Sequence, residues 1–436
     1  MLAILDHSPE WFHSFDSSMM NGLQAVPTWD AYFDSPRTQL LGLMSASYSL
    51  GAIVSLPLVP YVTDHLGRRW AIILGSIVMI IGSVIQAASQ NCTRLHIYVA
   101  QVTHSVCAVA MFVFSRVVIG FGIPAAIVAA SSLIGELSHP KERAILGSLF
   151  NSCYFVGAIG AAAVTLGTFS MPTDWGWRIP SLLQISPSFL QLCFIWFLPE
   201  SPRWLISKGR RQEAFDILVK YHAEGNEDSE FVKAEFVQIE QTLELELESK
   251  DKVGWKELIK TSGMRRRVLI GAALGLFTQW SGSGLPSYVS IFLSKDGSID
   301  LIGLIHGGFN RYFLARILDN VGVKDNYTKN CINLANNCWG LVNATFFALT
   351  VSRFPRRAAY LTGTVSILLI LVGWTVAAAQ YQKTKSNESS IAVIVFIFLY
   401  SPAYSIAYNA LTYSAFFSFQ SPLGKWLLNR ERSFPR

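Results

Sequence analysis

The chain has 436 residues, 51% hydrophobic and only 15% charged, with a mean hydropathy of +0.36, which is too apolar for a soluble protein of this length. Its formal net charge of +6 could suit nucleic acid, but the basic residues sit in short clusters at the ends of apolar runs, the placement that orients a polytopic membrane protein. Cys92, Cys107, Cys153, Cys193, Cys331 and Cys338 lack metal-ligand spacing and read as packing residues. With no metal cluster, nucleophile motif or phosphate loop in view, the sequence offers no support for an enzyme or for a cofactor.

Met1 to Ser14 holds Asp6, His7, Glu10 and His13, so it has neither the basic front nor the apolar centre of a signal peptide. A hydrocarbon core about 30 Å thick needs roughly 20 apolar residues per helix. Such runs are expected at Thr38–Val62, Trp70–Ser89, Ala110–Ile134, Leu146–Thr168 and Ile179–Leu198, then at Val268–Tyr288, Asn333–Val351, Ala359–Ala379 and Ile391–Tyr413. Glycine and proline inside them (Gly51, Pro57, Gly120, Pro124, Gly157) suit close-packed or bent membrane helices. Between the two sets lies a polar stretch, Pro199–Met264, whose Glu-rich Phe231–Ser249 portion predicts an amphipathic helix, serving as a gate brace or as a solvated linker. The basic clusters at Arg68-Arg69, Lys141 to Arg143, Arg203 to Arg211, Arg265 to Arg267 and Arg353 to Arg357 should share the cytoplasmic side. Asn387-Glu388-Ser389 is a glycosylation sequon in a connection expected on the other side.

Ordered motifs then carry a resemblance. Asp64-His65-Leu66-Gly67-Arg68-Arg69 resembles a signature of the major facilitator superfamily. Ser115-Arg116 through Gly120-Phe121-Gly122, Gly135-Glu136 with Glu142-Arg143, Trp177-Arg178-Ile179-Pro180, Pro199-Glu200-Ser201-Pro202-Arg203-Trp204-Leu205 and Gln279-Trp280-Ser281-Gly282 follow in the order of its sugar porter family. Asp16 to Gln24 and Tyr408-Asn409-Ala410-Leu411-Thr412-Tyr413 look like the fungal hexose and lactose permease-type members. The resemblance implies an all-α, multi-pass fold of two pseudo-symmetric helical halves around a midplane sugar site, working by alternating access. It also implies a plasma-membrane location, with sugar, protons and the lipid bilayer as partners. Nucleic acid is not among them, and no oligomer is implied.

On the matching positions, Arg116 is a charge inside an apolar helix, which needs a cavity and a partner. The resemblance makes Asp16 that partner, so the pair either couples protons to sugar or is a static structural pair, unless Asp16 is a polar residue outside the membrane. Asp64, Arg68, Arg69, Glu136, Arg143, Glu200 and Arg203 correspond to cytoplasmic gate positions, and the arginines also serve as topology signals. Asn151, Gln279, Ser283, Tyr288, Asn409 and Tyr413 match cavity-facing positions, where amides and aromatic faces suit a pyranose. Each of them also suits helix packing. The family often has asparagine where this chain has Gly284.

The departures set further expectations. Residues 1–37 are expected to hold only a remnant of the first span, 38–198 the first half, 199–266 the linker, 267–413 an incomplete second half and 414–436 a divergent tail without the last two family helices. Cys92–Val109 and Val289–Arg311 interrupt the pattern, the first as an oversized external loop. Both inserts and the tail suggest intervening sequence or a frame error carried into the protein. The implied function is transport of a monosaccharide or disaccharide by proton-coupled symport, with an inactive transporter fragment or the product of a misread gene as the alternative. A non-transporting sugar sensor is the third reading.

Overall fold

The computed structural model describes residues 8–23, 26–33, 38–89, 102–140, 142–250, 325–350 and 355–409, together with residues 265, 266, 269, 272, 273, 318, 322, 323 and 353. The chain opens with helix α1 (Ser8–Leu23), a short α2 (Pro27–Tyr32) started by proline at its first turn, and α3 (Thr38–Ser55). α1 is 16 residues long, about 24 Å at 1.5 Å per residue. The region expected to hold a remnant of the first span thus carries a helix shorter than the roughly 20 residues that cross a bilayer, packed mainly against the helix Tyr154–Thr168 of the same half.

Pro57 ends α3 and starts α4 (Leu58–Leu66), and the two segments meet at 53°, as expected where proline withdraws a backbone donor. After a turn at Gly67, α5 (Arg68–Ala87) returns, followed by α6 (Val102–Leu137), 36 residues with Pro124 inside. Residues 102–109, part of the insert expected as an external loop, are helical and extend α6 ahead of its apolar span Val109–Leu137. The remainder of that insert up to residue 101 lies outside the described residues. α7 (Arg143–Ser152) and α8 (Tyr154–Thr168) meet at Cys153, whose backbone stays in the helical region, so Ile145–Thr168 runs as one span. α9 (Trp175–Leu183), α10 (Ile185–Phe194) and a 3-10 turn at Ile195–Phe197 complete this half.

The packing explains the small residues. α6 is the central column, flanked by α3 and α5, while α1 lies against α8. Where α3 and α6 cross, a Cβ on Gly51 would overlap the carbonyl of Val117, and one on Gly120 the carbonyl of Tyr48; only glycine lets the two backbones approach so closely. Phe15, Met19, Met20, Trp29, Phe33, Phe112 and Trp177 form one core at the end where α2 sits. Ile72, Ile73, Leu133, Ile134, Phe150 and Leu198 form another near the opposite end.

The polar stretch folds as α11 (Pro202–Ser207), α12 (Arg211–His222) and α13 (Glu230–Lys250). The expected amphipathic helix is therefore present. Its apolar face packs on its neighbours, with Leu205, Ala214 and Leu243 in one cluster and Leu218, Val219 and Val232 in another.

Past the linker, α14 (Asn326–Thr350), α15 (Arg356–Thr384) and α16 (Asn387–Tyr404) end in a π-helical turn, Ser405–Asn409. The carboxylate of Asp325 caps α14, accepting from the backbone N–H of Tyr327 and Thr328 at 3.3 and 3.0 Å. Asn387 opens α16, so the sequon occupies a helix start capped by Ser386 and not an extended connection. Val268–Tyr288, Val289–Arg311 and 414–436 lie outside the described residues, apart from residues 269, 272 and 273.

Among the described residues, five helices are long and apolar enough to cross a membrane, or six if the bent α3–α4 pair is one span. Their outer faces are apolar: Ile53, Val54, Phe189, Leu361, Leu368 and Val376 are all exposed. Such a surface needs lipid around it.

Candidate functional site

Among the described residues, the expected site positions fall into three polar clusters. The first lies inside the first half. Arg116 is fully buried on α6, and its guanidinium sits 5.2 Å from the ring of Tyr48. Its Nη1 donates to the backbone carbonyl of Asp16 at 3.4 Å, while Arg116 Nε and Nη2 and Asp16 Oδ1 are buried with no hydrogen-bond partner. The two residues are thus neighbours, as expected, but the guanidinium faces the π cloud of Tyr48 and a main-chain carbonyl in place of the carboxylate. A buried cation and a buried acid side by side, with unused hydrogen-bonding capacity on both, is an arrangement that a change of protonation or of helix position would alter.

The second cluster ties the α4–α5 turn, the end of α6 and the linker together. The Glu200 carboxylate accepts from the backbone N–H of Arg68 at 3.1 Å and of Arg69 at 3.2 Å, capping α5, and from the N–H of Ser201 at 3.0 Å. A carboxylate at a helix N-terminus is favoured by the orphan donors and by the helix dipole. Arg68 Nη2 pairs with Glu136 Oε1 at 3.0 Å, and Ser201 Oγ donates to the other oxygen of Glu136. Asp64 joins through its main chain, its carbonyl accepting from Trp204 Nε1 at 3.1 Å. Arg69 turns to Trp196, donating to its carbonyl at 3.3 Å. Arg143 Nη2 reaches the Ser138 carbonyl at 3.4 Å; burial lowers its pKa, while Glu235 and Glu136 act in the opposite direction. Arg203 lies on α11, beside this cluster in the chain. Of the seven expected gate residues, Arg68, Arg69, Glu136 and Glu200 link elements through their side chains, and Asp64 does so through its main-chain carbonyl.

The third cluster lies where the halves meet. α14 packs on α7 and α8, and the π turn after α16 packs on α7. Asn151 Nδ2, at the end of α7, donates to the Asn409 carbonyl at 2.8 Å and to Asn409 Oδ1 at 2.7 Å. Two residues expected to face a cavity, 258 positions apart, are therefore brought together from opposite halves. Asn409 Nδ2 is buried and has no partner. Gln279, Ser283, Tyr288 and Tyr413 lie outside the described residues.

Sequence reasoning missed two features of this seam. Tyr400, Tyr404 and Tyr408 stack in a ladder, with ring centroids 5.9 and 5.7 Å apart; their i, i+4, i+8 spacing was the available signal. Asn330 and Asn333 are buried on α14, and Asn337 Nδ2 lies 3.4 Å from Asn333 Oδ1. Asparagines three and four residues apart mark that polar face.

This is the anatomy of a membrane transporter: a bundle of apolar helices in two sets, with buried polar residues between them and an ion-paired linker at one end. The chain belongs to the sugar (and other) transporter family, whose pattern it matches over residues 11–296 and 308–418, and it is a multi-pass membrane protein of the major facilitator type. The match skips residues 297–307, inside the segment that interrupts the motif order. The chain is 24% identical to a high-affinity glucose transporter of Kluyveromyces lactis over 279 residues, 64% of this chain and 47% of the relative. It is 28% identical to a probable inositol transporter of Arabidopsis thaliana over 319 residues, 70% of this chain and 51% of the relative. It thus spans about half the length of the curated relatives it matches. Its fold is similar to that of the Escherichia coli xylose transporter XylE in a partially occluded inward-open conformation, with a TM-score of 0.71 at 19% identity, covering 95% of this chain and 86% of XylE. A structure of XylE described as a proton:xylose symporter bound to 6-bromo-6-deoxy-D-glucose gives the same TM-score of 0.71 at 20% identity, covering 96% of this chain and 81% of that one.

Proposed function

We propose that the chain carries a sugar, a monosaccharide or a disaccharide, across the plasma membrane by alternating access of its two halves, as a proton symporter whose linker faces the cytoplasm. The observation that carries this reading is the Asn151–Asn409 contact at 2.7 Å. It joins the two halves through amides, whose paired donors and acceptors match the alternating roles of sugar hydroxyls. With its Nδ2 unpartnered, Asn409 keeps a donor in reserve for a hydroxyl oxygen. Sugar entering the seam would exchange the amide–amide bonds for amide–hydroxyl bonds at little net cost, so the halves part without stranding a buried polar group.

Proton coupling is assigned to Asp16 and Arg116. Protonating Asp16 removes the negative charge beside Arg116, and the altered balance is transmitted through α1 and α6, the helices that carry them. The linker-side position of Arg68, Arg69 and Arg143 supports a cytoplasmic linker, and the network of Arg68, Glu136 and Glu200 supports a gate on that side. Asp64 and Arg203 are assigned to the same gate. Gln279, Ser283, Tyr288 and Tyr413 complete the proposed sugar site.

The test is uptake by the full chain reconstituted in proteoliposomes, across a panel of labelled hexoses, pentoses, inositols and disaccharides. At least one sugar should accumulate against its gradient when the outside is acidic. The variant Asn409→Ala should raise KM for that sugar about tenfold, the worth of one or two hydrogen bonds. Asp16→Asn should abolish accumulation while sparing sugar counterflow. Folded protein that moves no sugar of the panel would end the transport reading, and accumulation indifferent to the proton gradient would end the symport reading alone.

A further inference from the structure

Beyond the proposed transport site, one buried titratable group fastens the linker to the membrane-embedded half. His222, the last residue of α12, has a side chain only 2% exposed. Its Nδ1 lies 2.7 Å from Glu235 Oε2 on α13, and its Nε2 lies 3.0 Å from the carbonyl of Leu137, the last residue of α6. Both partners are acceptors. A neutral imidazole carries one N–H and satisfies one of them; an imidazolium carries two and satisfies both. The Leu137 carbonyl is one of the orphan acceptors at the end of a long helix, where a cation is also favoured by the helix dipole.

We propose that His222 is a pH-operated latch: doubly protonated, it clamps α12 and α13 onto the end of α6, and on losing a proton it releases one of its two holds. Charged groups face His222 from the elements packed against it. Glu235 faces His222 from α13, and Arg143, at the start of α7, opposes its positive charge. Arg143 is itself offset by Glu235 and by Glu136 of α6. The ring of His139, just beyond α6, lies 5.7 Å from that of His222 and 5.2 Å from that of Phe231. Burial opposes the charge on His222, yet its bonds to Glu235 and Leu137 outweigh that penalty and hold its pKa above the ordinary 6.5. The clamp is therefore at full strength below the ordinary histidine value and is lost as pH rises through the raised one. Because the same end of α6 carries Glu136, the partner of Arg68, pH on the linker side would reach the proposed gate through one hydrogen-bonded contact.

Hydrogen exchange of the full chain in lipid nanodiscs tests this without any transport measurement, so its outcome is separate from that of the sugar assay. Protection of residues 230–244, corrected for intrinsic exchange and compared with residues 68–87, should fall roughly tenfold between about pH 5.5 and about pH 8.5, as one charge-assisted hydrogen bond is lost. The variant Glu235→Gln offers an amide that accepts from a protonated Nδ1 or donates to a bare one, so its protection should be independent of pH. Flat protection in the native chain would overturn the latch. So would a pH profile that persists in Glu235→Gln, since another group such as His139 would then carry it. If that variant fails to fold, His139→Gln decides: the native profile should persist in it, and its disappearance there would overturn the latch.

Discussion

Glu200 shows how much one carboxylate contributes at the linker end. It serves three backbone N–H groups at 3.0 to 3.2 Å, and it fits only because Gly67, at φ +96°, turns the chain in a conformation that costs glycine little. A Cβ on Gly67 would stand 2.7 Å from Glu200 Oε2. Glu200→Ala should lower stability by about 1–2 kcal/mol through loss of a helix cap, with Glu200→Gln recovering part of it; thermal unfolding in detergent reads both. Gly67→Ala should cost at least as much, because strain and overlap act together. A drop for Gly67→Ala smaller than for Glu200→Ala would show that the turn adapts. The chemistry of this cluster was legible in the sequence, since Gly67-Arg68-Arg69 and Pro199-Glu200-Ser201 were marked by their motifs. What was not legible was that Glu200 acts on main-chain donors while Arg68 takes Glu136. Charge signs specify compatible partners, but packing of the two ends selects among them.

At the scale of elements, α14 carries most of the contact between halves, packing on α7 and α8, and a glycine stands at its closest approach to Phe155 of α8. A Cβ on Gly340 would overlap the ring of Phe155. Gly340→Ala should therefore push α14 from α8 and weaken the Asn151–Asn409 bond nearby, costing about 1–3 kcal/mol as other overpacked sites do. Phe155→Ala alone leaves a void, yet in the double variant it should relieve part of the penalty, a non-additivity that a double-mutant cycle measures. Additive costs would mean that the ring swings aside freely. The length of the apolar runs revealed the helices themselves well, α5, α6 and α15 above all. Bends were less visible: Pro57 stands at the 53° bend between α3 and α4, yet Pro124 lies inside α6 without interrupting it. What a proline does to a helix depends on the neighbours that satisfy the freed backbone groups, which a local pattern does not carry.

Across the whole molecule, the apolar faces turned outward and the polar residues gathered at the seam have one origin, a bilayer as solvent. Composition made that class plain, because no arrangement of so many apolar residues leaves a polar surface. The site was legible only as a set of residue types at familiar positions; that Asn151 meets Asn409 depends on how the two halves dock, which neither half encodes alone. That docking leads to a final expectation. Because the two asparagines spend hydrogen bonds on each other, Asn151→Ala strands Asn409 Oδ1, and Asn409→Ala removes one of the two acceptors of Asn151. Replacing both removes the desolvation penalty along with the bonds. The double variant should thus be less destabilised than the sum of the singles, with a coupling of about 1 kcal/mol in thermal unfolding. A transported sugar should raise the unfolding temperature of the native chain by binding the folded state, and should raise it less in either single variant. Full additivity with an unchanged sugar effect would mean that the seam holds the halves together but does not hold the sugar.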